Sequence, residues 1–119
     1  MGDRGPLPSA PEPIDLDAAR RIANEELAKR PLDHNNLGDA MRHAEASRRV
    51  VEEVNTPSAL IMGYGHELEN LVESSPIKEV LMDLHNNAVG RAAGAAGTPV
   101  DPRRLITDPD RAPSEYRRK

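Results

Sequence analysis

The chain contains neither phenylalanine nor tryptophan, and its only large aromatic residues are Tyr64 and Tyr116. Aromatic side chains bury the most area per residue, so a core made without them is thin. The hydrophobic fraction of the 119 residues is 37% and consists mainly of Ala, Leu, Val and Ile. A domain of this size is only marginally stable on its own. We therefore expect support from a homo-oligomer, a protein partner or a bound ligand.

Apolar residues at helical spacing, interrupted by proline, divide the chain into helices. Asp15 is the predicted N-cap of the first helix, which ends before Pro31. A second helix is predicted from about Asp39 to Val54. Thr56-Pro57 and Ser75-Pro76 are predicted cap-and-first-turn pairs of the third and fourth helices, the latter strengthened by Glu79 in a capping box. Because no segment alternates like a strand, the sequence predicts an all-α fold, a small bundle of about four helices.

Two of these helices carry apolar residues that we expect to face the core. The sets are Leu60, Ile61, Leu68, Leu71 and Val72 in the third helix, and Ile77, Val80, Leu81, Leu84 and Ala88 in the fourth. Gly63 and Gly65 lie in the middle of the third helix, where they either weaken it or let a neighbour approach closely.

The ends of the chain differ in composition from its centre. Prolines at nearly alternate positions make residues 1–14 a predicted flexible Pro-rich arm. Residues 15–97 form the predicted helical domain, and residues 98–119 a predicted polar tail.

Composition argues against several classes of protein. A net charge of −4 without a basic face disfavours nucleic-acid binding. The absence of cysteine rules out disulfides and thiolate metal sites. No apolar run approaches the roughly 18–20 residues that span a bilayer, and the first residues lack the apolar stretch of a secretory signal. The expected location is the cytoplasm, with delivery by a specialised secretion system or packaging in a virion as alternatives.

Polar residues form a stripe on each of two helices. Asp39, Arg42 and His43 lie at i, i+3 and i+4 and project from one face of the second helix. The stripe of the fourth helix follows the same spacing through Asp83, Asn86, Asn87, Gly90 and Arg91. Apolar residues border this second stripe, so its polar groups need hydrogen-bond partners.

His66 and Glu67 of the third helix could complete a site with these stripes. Adjacent residues diverge by about 100° on a helix, so both face one site only if that site is wide. Imidazole and carboxylate ligands from three helices suit a divalent metal such as zinc or manganese. The predicted metal ligands and catalytic groups are His43, His66, Glu67 and Asp83, and the predicted substrate-binding residues are Asp39, Arg42, Asn86, Asn87 and Arg91.

The ordered segments GDAMRHA, GHELEN and MDLHNNAVGR resemble an uncharacterised family with the consensus D-A-x-R-H-A … H-E … M-D-L-x-N-N-x-x-G-R. That family occurs as C-terminal domains of bacterial polymorphic toxin-like proteins and as free-standing proteins of bacteria and phages. The resemblance covers about residues 38–94. It implies that the polar positions named above are the family's recurrent ones. Glu45 departs from the family pattern, which usually has an aromatic residue there.

Two hypotheses of function follow. In the first, the chain is a metal-assisted hydrolase or toxin-type effector, in which His43, His66, Glu67 and Asp83 are ligands or general acid and base groups. In the second, it is a non-catalytic structural or interaction protein, such as a virion component or accessory subunit. The polar residues would then form salt bridges and hydrogen bonds that only fix the packing of the helices.

Overall fold

The computed structural model describes residues 13–30, 34, 36–73 and 75–111. These residues form α1 (Leu16–Lys29), α2 (Leu37–Glu53), α3 (Thr56–Val72) and α4 (Ile77–Ala96), followed by short 3₁₀ turns at Pro102–Arg104 and Pro109–Arg111. The described ranges contain no strand. The predicted all-α fold with about four helices is therefore confirmed. All but the last two residues of the predicted Pro-rich arm lie outside the described ranges.

The first three helices begin at side-chain caps. The Asp15 carboxylate accepts a hydrogen bond from the backbone of Ala18, as the sequence predicts. Asn36 caps α2 in the same way. The prediction of Thr56 as the cap of α3 is wrong, because the Asn55 carboxamide accepts from the backbone N–H of Ser58 at 2.9 Å. Asparagine is a stronger N-cap than threonine, so the helix begins one residue earlier.

The fourth helix begins without a side-chain cap. It starts at Ile77 after Pro76, and among the described residues no side chain forms a cap hydrogen bond there. The predicted cap at Ser75 is therefore also wrong. The backbone N–H of Ser75 instead donates to the carbonyl of Asn70 at 2.9 Å, which closes the turn that follows α3.

Small side chains make up most of the core. Ala19 and Ile22 of α1 pack with Val50 of α2 and Ala59 of α3 in one fully buried cluster. Around it, hydrogen bonds join the start of α1 to the start of α3, where Asp15 N donates to Ser58 Oγ at 2.8 Å. Helices α1, α2 and α3 therefore share one cluster, and α4 completes the bundle against α2 and α3.

Glycine brings α2 and α4 into close contact. A Cβ atom on Gly90 would lie 2.0 Å from the carbonyl oxygen of Ala44, and one on Gly94 would lie 2.8 Å from that of Arg48. No other residue allows such an approach of the two backbones. This contact fixes the position of the α4 residues that face α2.

Helix α3 is oriented opposite to the prediction from its apolar pattern. The five large apolar residues expected in the core are all exposed, from Leu60 at 37% to Val72 at 76%. The buried side of α3 consists instead of Ser58, Ala59, Gly63 and Glu67. Small residues on this side let α3 approach its neighbours. In α4, Val80 is buried as expected, but Ile77 is 67% exposed and Ala88 is exposed.

The segment after α4 packs against that helix, although the sequence assigns it to a polar tail. Val100 and Ile106 are buried. The Asn86 amide donates to the carbonyl of Ile106, and the backbone N–H of Ile106 donates to Asn86 Oδ1, both at 2.9 Å. Among the described residues, no helix has the length and apolar character needed to cross a membrane.

Candidate functional site

The first turns of α2 place an aspartate in the interior of the bundle. Asp39 is 2% exposed, and its backbone N–H donates to the capping Asn36 side chain. Arg42, one turn later, donates from Nη2 to Asp39 Oδ1 and from Nη1 to the carbonyl of Arg30 at 3.3 Å. The guanidinium thus neutralises Asp39 and ties the end of α1 to α2.

His43 lies between two aspartates from different helices. Its Nε2 atom is 3.5 Å from Asp39 Oδ1 on α2 and 3.4 Å from Asp83 Oδ1 on α4. One ligand atom from each of the three residues lies within 4.8 Å of the others. Ligand atoms about 2.0–2.1 Å from a shared tetrahedral zinc ion are themselves about 3.3 Å apart. The group Asp39, His43 and Asp83 could therefore bind a metal ion.

Glu67 of α3 is a third buried acid near this group. It is 2% exposed. Asn70 Nδ2 donates to its Oε1 atom at 3.2 Å, whereas Oε2 is buried and receives no hydrogen bond. Oδ1 of Asp83 is likewise buried without a hydrogen-bond donor. Buried polar atoms are normally satisfied, so two unsatisfied acid oxygens in one region require an explanation.

Burial raises the pKa of both acids. The pKa of Asp83 rises to about 8, first through burial and then through the negative charges of Glu67 and Asp39. The pKa of Glu67 rises to about 7, mainly through burial, with Asn70 opposing the shift and Asp39 adding to it. Both acids therefore gain from a cation that would stabilise their charged forms.

The pKa of His43 moves in the opposite direction, to about 4. Burial is the main cause, and the Arg42 and His66 charges add to it, while Asp39 and a hydrogen bond with Asn87 oppose it. His43 is therefore neutral at neutral pH even though two aspartates lie close to Nε2. A neutral imidazole is the form that binds metal ions.

His66 and Asn87 lie on the other side of His43. The rings of His43 and His66 are 6.1 Å apart between centroids. Asn87 is 4% exposed, and Gly63 faces it, since a Cβ there would lie 3.2 Å from Asn87 Nδ2. His66 is exposed although the adjacent Glu67 is buried. Adjacent residues on α3 thus face different surroundings, as expected from helical geometry.

Residues 15–109 match the family described as Domain of unknown function (DUF6973). The chain belongs to this family. The expectation of an uncharacterised family is confirmed. No solved structure matches the chain.

The DUF6973 domain brings several of the sequence-predicted site residues close together, and the roles predicted for them stay predictions. Of the predicted metal ligands, His43 and Asp83 lie in the close group, whereas His66 and Glu67 lie beside it. Asp39, predicted to bind substrate, takes the third position in that group. His85 is directed away, with Nε2 2.8 Å from the carbonyl oxygen of Arg104.

The other predicted substrate-binding residues of α4 have separate surroundings in this DUF6973 domain. Both amide atoms of Asn86 are bonded to the backbone of Ile106. The Arg91 guanidinium lies 5.5 Å from the centre of the Tyr64 ring, a cation–π distance. Asn87, in contrast, forms a hydrogen bond with His43.

A cleft beside the site was not predicted from the sequence. It has a volume of about 490 Å³ and is bordered by His43, His66 and Asn87 together with residues of α1, α2 and α3. Its α1 residues include the apolar Leu16, Ala23 and Leu27. Leu27 is 43% exposed, so it does not belong to a buried face of the helix. No motif in the sequence indicates such a cleft.

Proposed function

We propose that this domain binds one divalent cation, zinc or manganese, between Asp39, His43 and Asp83 and uses it in a hydrolytic reaction. The observation that carries the proposal is the pair of buried acid oxygens, on Asp83 and Glu67, that no hydrogen bond reaches. If Asp39, Glu67 and Asp83 are all ionised, their three negative charges exceed the one positive charge of Arg42 by two within this group of described residues. A divalent cation supplies that counter-charge.

Glu67 supports the hydrolytic part of the proposal. Its carboxylate lies outside the three-residue group, yet it raises the pKa of Asp83 and is therefore close to that group. A general base works best when its pKa is near the operating pH. Burial raises the pKa of Glu67 to about 7 in the metal-free protein, and a bound cation would lower that pKa toward its usual range. A cation bound here would lower the pKa of a coordinated water. Glu67 would accept the proton of that water at Oε2.

His66 and Asn87 would contact the substrate, since both border the cleft that reaches His43. The resemblance to toxin-like proteins adds the proposal that the reaction belongs to a toxin-type effector. Asn86 and Gly90 would have a structural role, because both hold α4 against its neighbours.

Metal binding tests the first step. Protein purified without added chelator, then stripped with EDTA, is titrated with Zn²⁺ and Mn²⁺ by calorimetry, and the bound ion is counted by native mass spectrometry. We expect one ion per chain, and at least about 100-fold weaker binding in Asp83→Asn, because it removes a direct ligand. Glu73→Gln is the control, at an exposed acid that follows α3 and lies outside the close group. A wild type that binds neither ion contradicts the proposal.

Catalysis tests the second step. Glu67→Gln should keep the ion but lower the rate of hydrolysis by about 10²- to 10⁴-fold, the contribution of a general base. The substrates are p-nitrophenyl carboxylic esters and bis(p-nitrophenyl) phosphate. An unchanged rate in Glu67→Gln would exclude Glu67 as the base.

A second function is favoured by the exposed apolar side of α3, where Leu68 is 63% and Val72 76% exposed. In this alternative the chain is a non-catalytic structural or interaction protein, and its polar residues only fix helix packing. The partner would be another protein or a second copy of the chain. Sedimentation velocity from 5 to 200 µM tests for the second copy, and a monomer throughout with one bound ion would favour the first function.

A further inference from the structure

The cleft between α1 and α3 has the size and position of a ligand site. Its volume of about 490 Å³ falls within the roughly 300–1,000 Å³ of small-molecule sites. Residues of α1, α2 and α3 border it, and Asn87 of α4 completes it. Because His43 also borders the cleft, a molecule bound there would reach the proposed metal group.

Both apolar and polar residues border the cleft, and its polar residues on α1 and α3 include Arg20, Asn24 and Glu69. Its apolar residues are aliphatic and lie mainly on α1 and α3: Leu16, Ala23, Leu27, Ala46, Ile61 and Met62. A polar group is formed by Arg42, His43, His66 and Asn87, which neighbour one another as described above. A ligand that fits both would have an aliphatic part and a polar part.

The same residues disfavour other classes of ligand. Among the described residues that border the cleft there is no Tyr, Phe or Trp, so a nucleobase would find none of these rings for stacking. Of the described arginines beside the cleft, Arg42 is paired with Asp39 and Arg20 is the other one. A polyphosphate would need more cations. A sugar would find hydrogen-bond partners among the polar residues, but part of it would lie against aliphatic side chains that offer its hydroxyl groups no partner.

We propose that this cleft binds the acyl chain of an amphiphilic ester and presents its carbonyl group to the metal group. The proposal rests on the proposed function for the reaction, but the binding of the chain does not. Each methylene group transferred from water to the cleft should raise the affinity about fourfold, until the cleft is full. Hydrolysis would break the acyl C–O bond, with the water oxygen becoming part of the carboxylic acid and the alcohol leaving with a proton.

Binding is measured in EDTA, so that it does not depend on a metal ion. The probe is 11-(dansylamino)undecanoic acid, whose fluorescence rises in apolar surroundings, with decanoic acid and monodecanoyl glycerol as competitors below their micelle concentrations. We expect saturable 1:1 binding by the wild type. Displacement by both competitors identifies the acyl chain as the recognised part, and displacement by decanoic acid alone restricts the site to free fatty acids and contradicts the ester.

A matched pair of variants locates the bound chain. Ala23→Trp places a large side chain in the cleft and should weaken probe binding at least 10-fold. Ala28→Trp adds the same side chain to the exposed side of α1, outside the cleft, and should leave binding unchanged. Circular dichroism checks that both fold. If Ala23→Trp does not fold, Leu27→Asp is compared with Leu60→Asp, since both leucines are partly exposed and only Leu27 borders the cleft.

The outcomes separate this proposal from the metal proposal. Probe binding that survives in Asp83→Asn, together with ion binding that survives in Ala23→Trp, would show two independent sites. Equal probe affinity in Ala23→Trp and Ala28→Trp would overturn the acyl-chain proposal and leave the metal proposal standing. Loss of probe binding in Leu68→Ala, on the exposed side of α3, would also overturn it, because the probe would then adsorb to that surface.

Discussion

Between α2 and α4 the backbones approach so closely that glycine is required, whereas α1 and α3, which are joined near Asp15 and Ser58, border a cleft of about 490 Å³. The first contact buries the carboxyl groups of Asp39 and Asp83. The second is bordered by aliphatic residues that stay partly exposed, such as Ile61 at 48%.

The difference indicates a division of roles. Under the proposed function, the ligand atoms of a metal ion must be held within a few tenths of an ångström, and the closely packed helices α2 and α4 carry them. A cleft that admits a substrate needs open space, and α1 and α3 border such a space. Substitutions that destabilise the contact between α2 and α4 should therefore have different effects from substitutions between α1 and α3.

The largest effect is expected at Gly90. Gly90→Ala places a methyl group where the Ala44 carbonyl oxygen lies, so α2 and α4 must separate. We expect a loss of about 3 kcal/mol or more in the free energy of unfolding, measured by urea denaturation. Gly65→Ala is the control, because nothing lies within 4 Å of its Cβ position, and it should stabilise α3 by up to about 1 kcal/mol. An unchanged midpoint for Gly90→Ala would contradict the close contact.

The sequence predicts the helices well because their signals are local. The capping of α1 by Asp15 depends only on a few neighbouring residues, and so does the end of that helix before Pro31. The orientation of α3 depends on what it packs against, and its apolar pattern predicts the wrong side. The small residues Ala59 and Gly63 let α3 pack closely against its neighbours. This close packing outweighs the burial of the larger apolar side chains of α3, which remain exposed.

The site shows the same limit. Helical spacing groups Asp39, Arg42 and His43 correctly on one face, because spacing within a helix is fixed. It cannot tell which residues of different helices meet. Asp39 rather than His66 therefore joins His43 and Asp83 in the structure, and the cleft beside them has no sequence signal at all.

The next largest effect concerns pH and the charges between α2 and α4. Without metal, the buried acid of Asp83 has a pKa of about 8 in the folded state against about 3.8 otherwise. The contribution of Asp83 to the free energy of unfolding is fully present below pH 4 and is lost as the pH rises through 8. The contribution of Glu67 is lost in the same way as the pH rises through 7. His43, with a pKa of about 4, contributes the opposite trend only below pH 6.5. Between pH 6.5 and 9 the acids alone decide the direction.

In EDTA we therefore expect the wild-type Tm to fall by at least about 5 °C between pH 6.5 and 9, the change that roughly 1 kcal/mol produces in a domain of this size. Asp83→Asn should fall less, because its amide does not ionise. Adding Mn²⁺ at pH 8 should raise the Tm of the wild type but not of Asp83→Asn. Parallel pH curves for the two proteins would mean that Asp83 is not the titrating group.

The smallest effect is expected on the outer side of α3. Leu68 is 63% exposed and borders neither the core nor the cleft, so Leu68→Ala should change the free energy of unfolding by less than about 0.5 kcal/mol. Met82→Ala, at a fully buried position of α4, should cost about 2–5 kcal/mol in the same urea titration. A loss above about 1 kcal/mol in Leu68→Ala that grows with protein concentration would show that a second copy of the chain covers α3. The contrast between the two helix pairs would then hold only for the monomer, and the exposed side of α3 would be an interface between two copies of the chain.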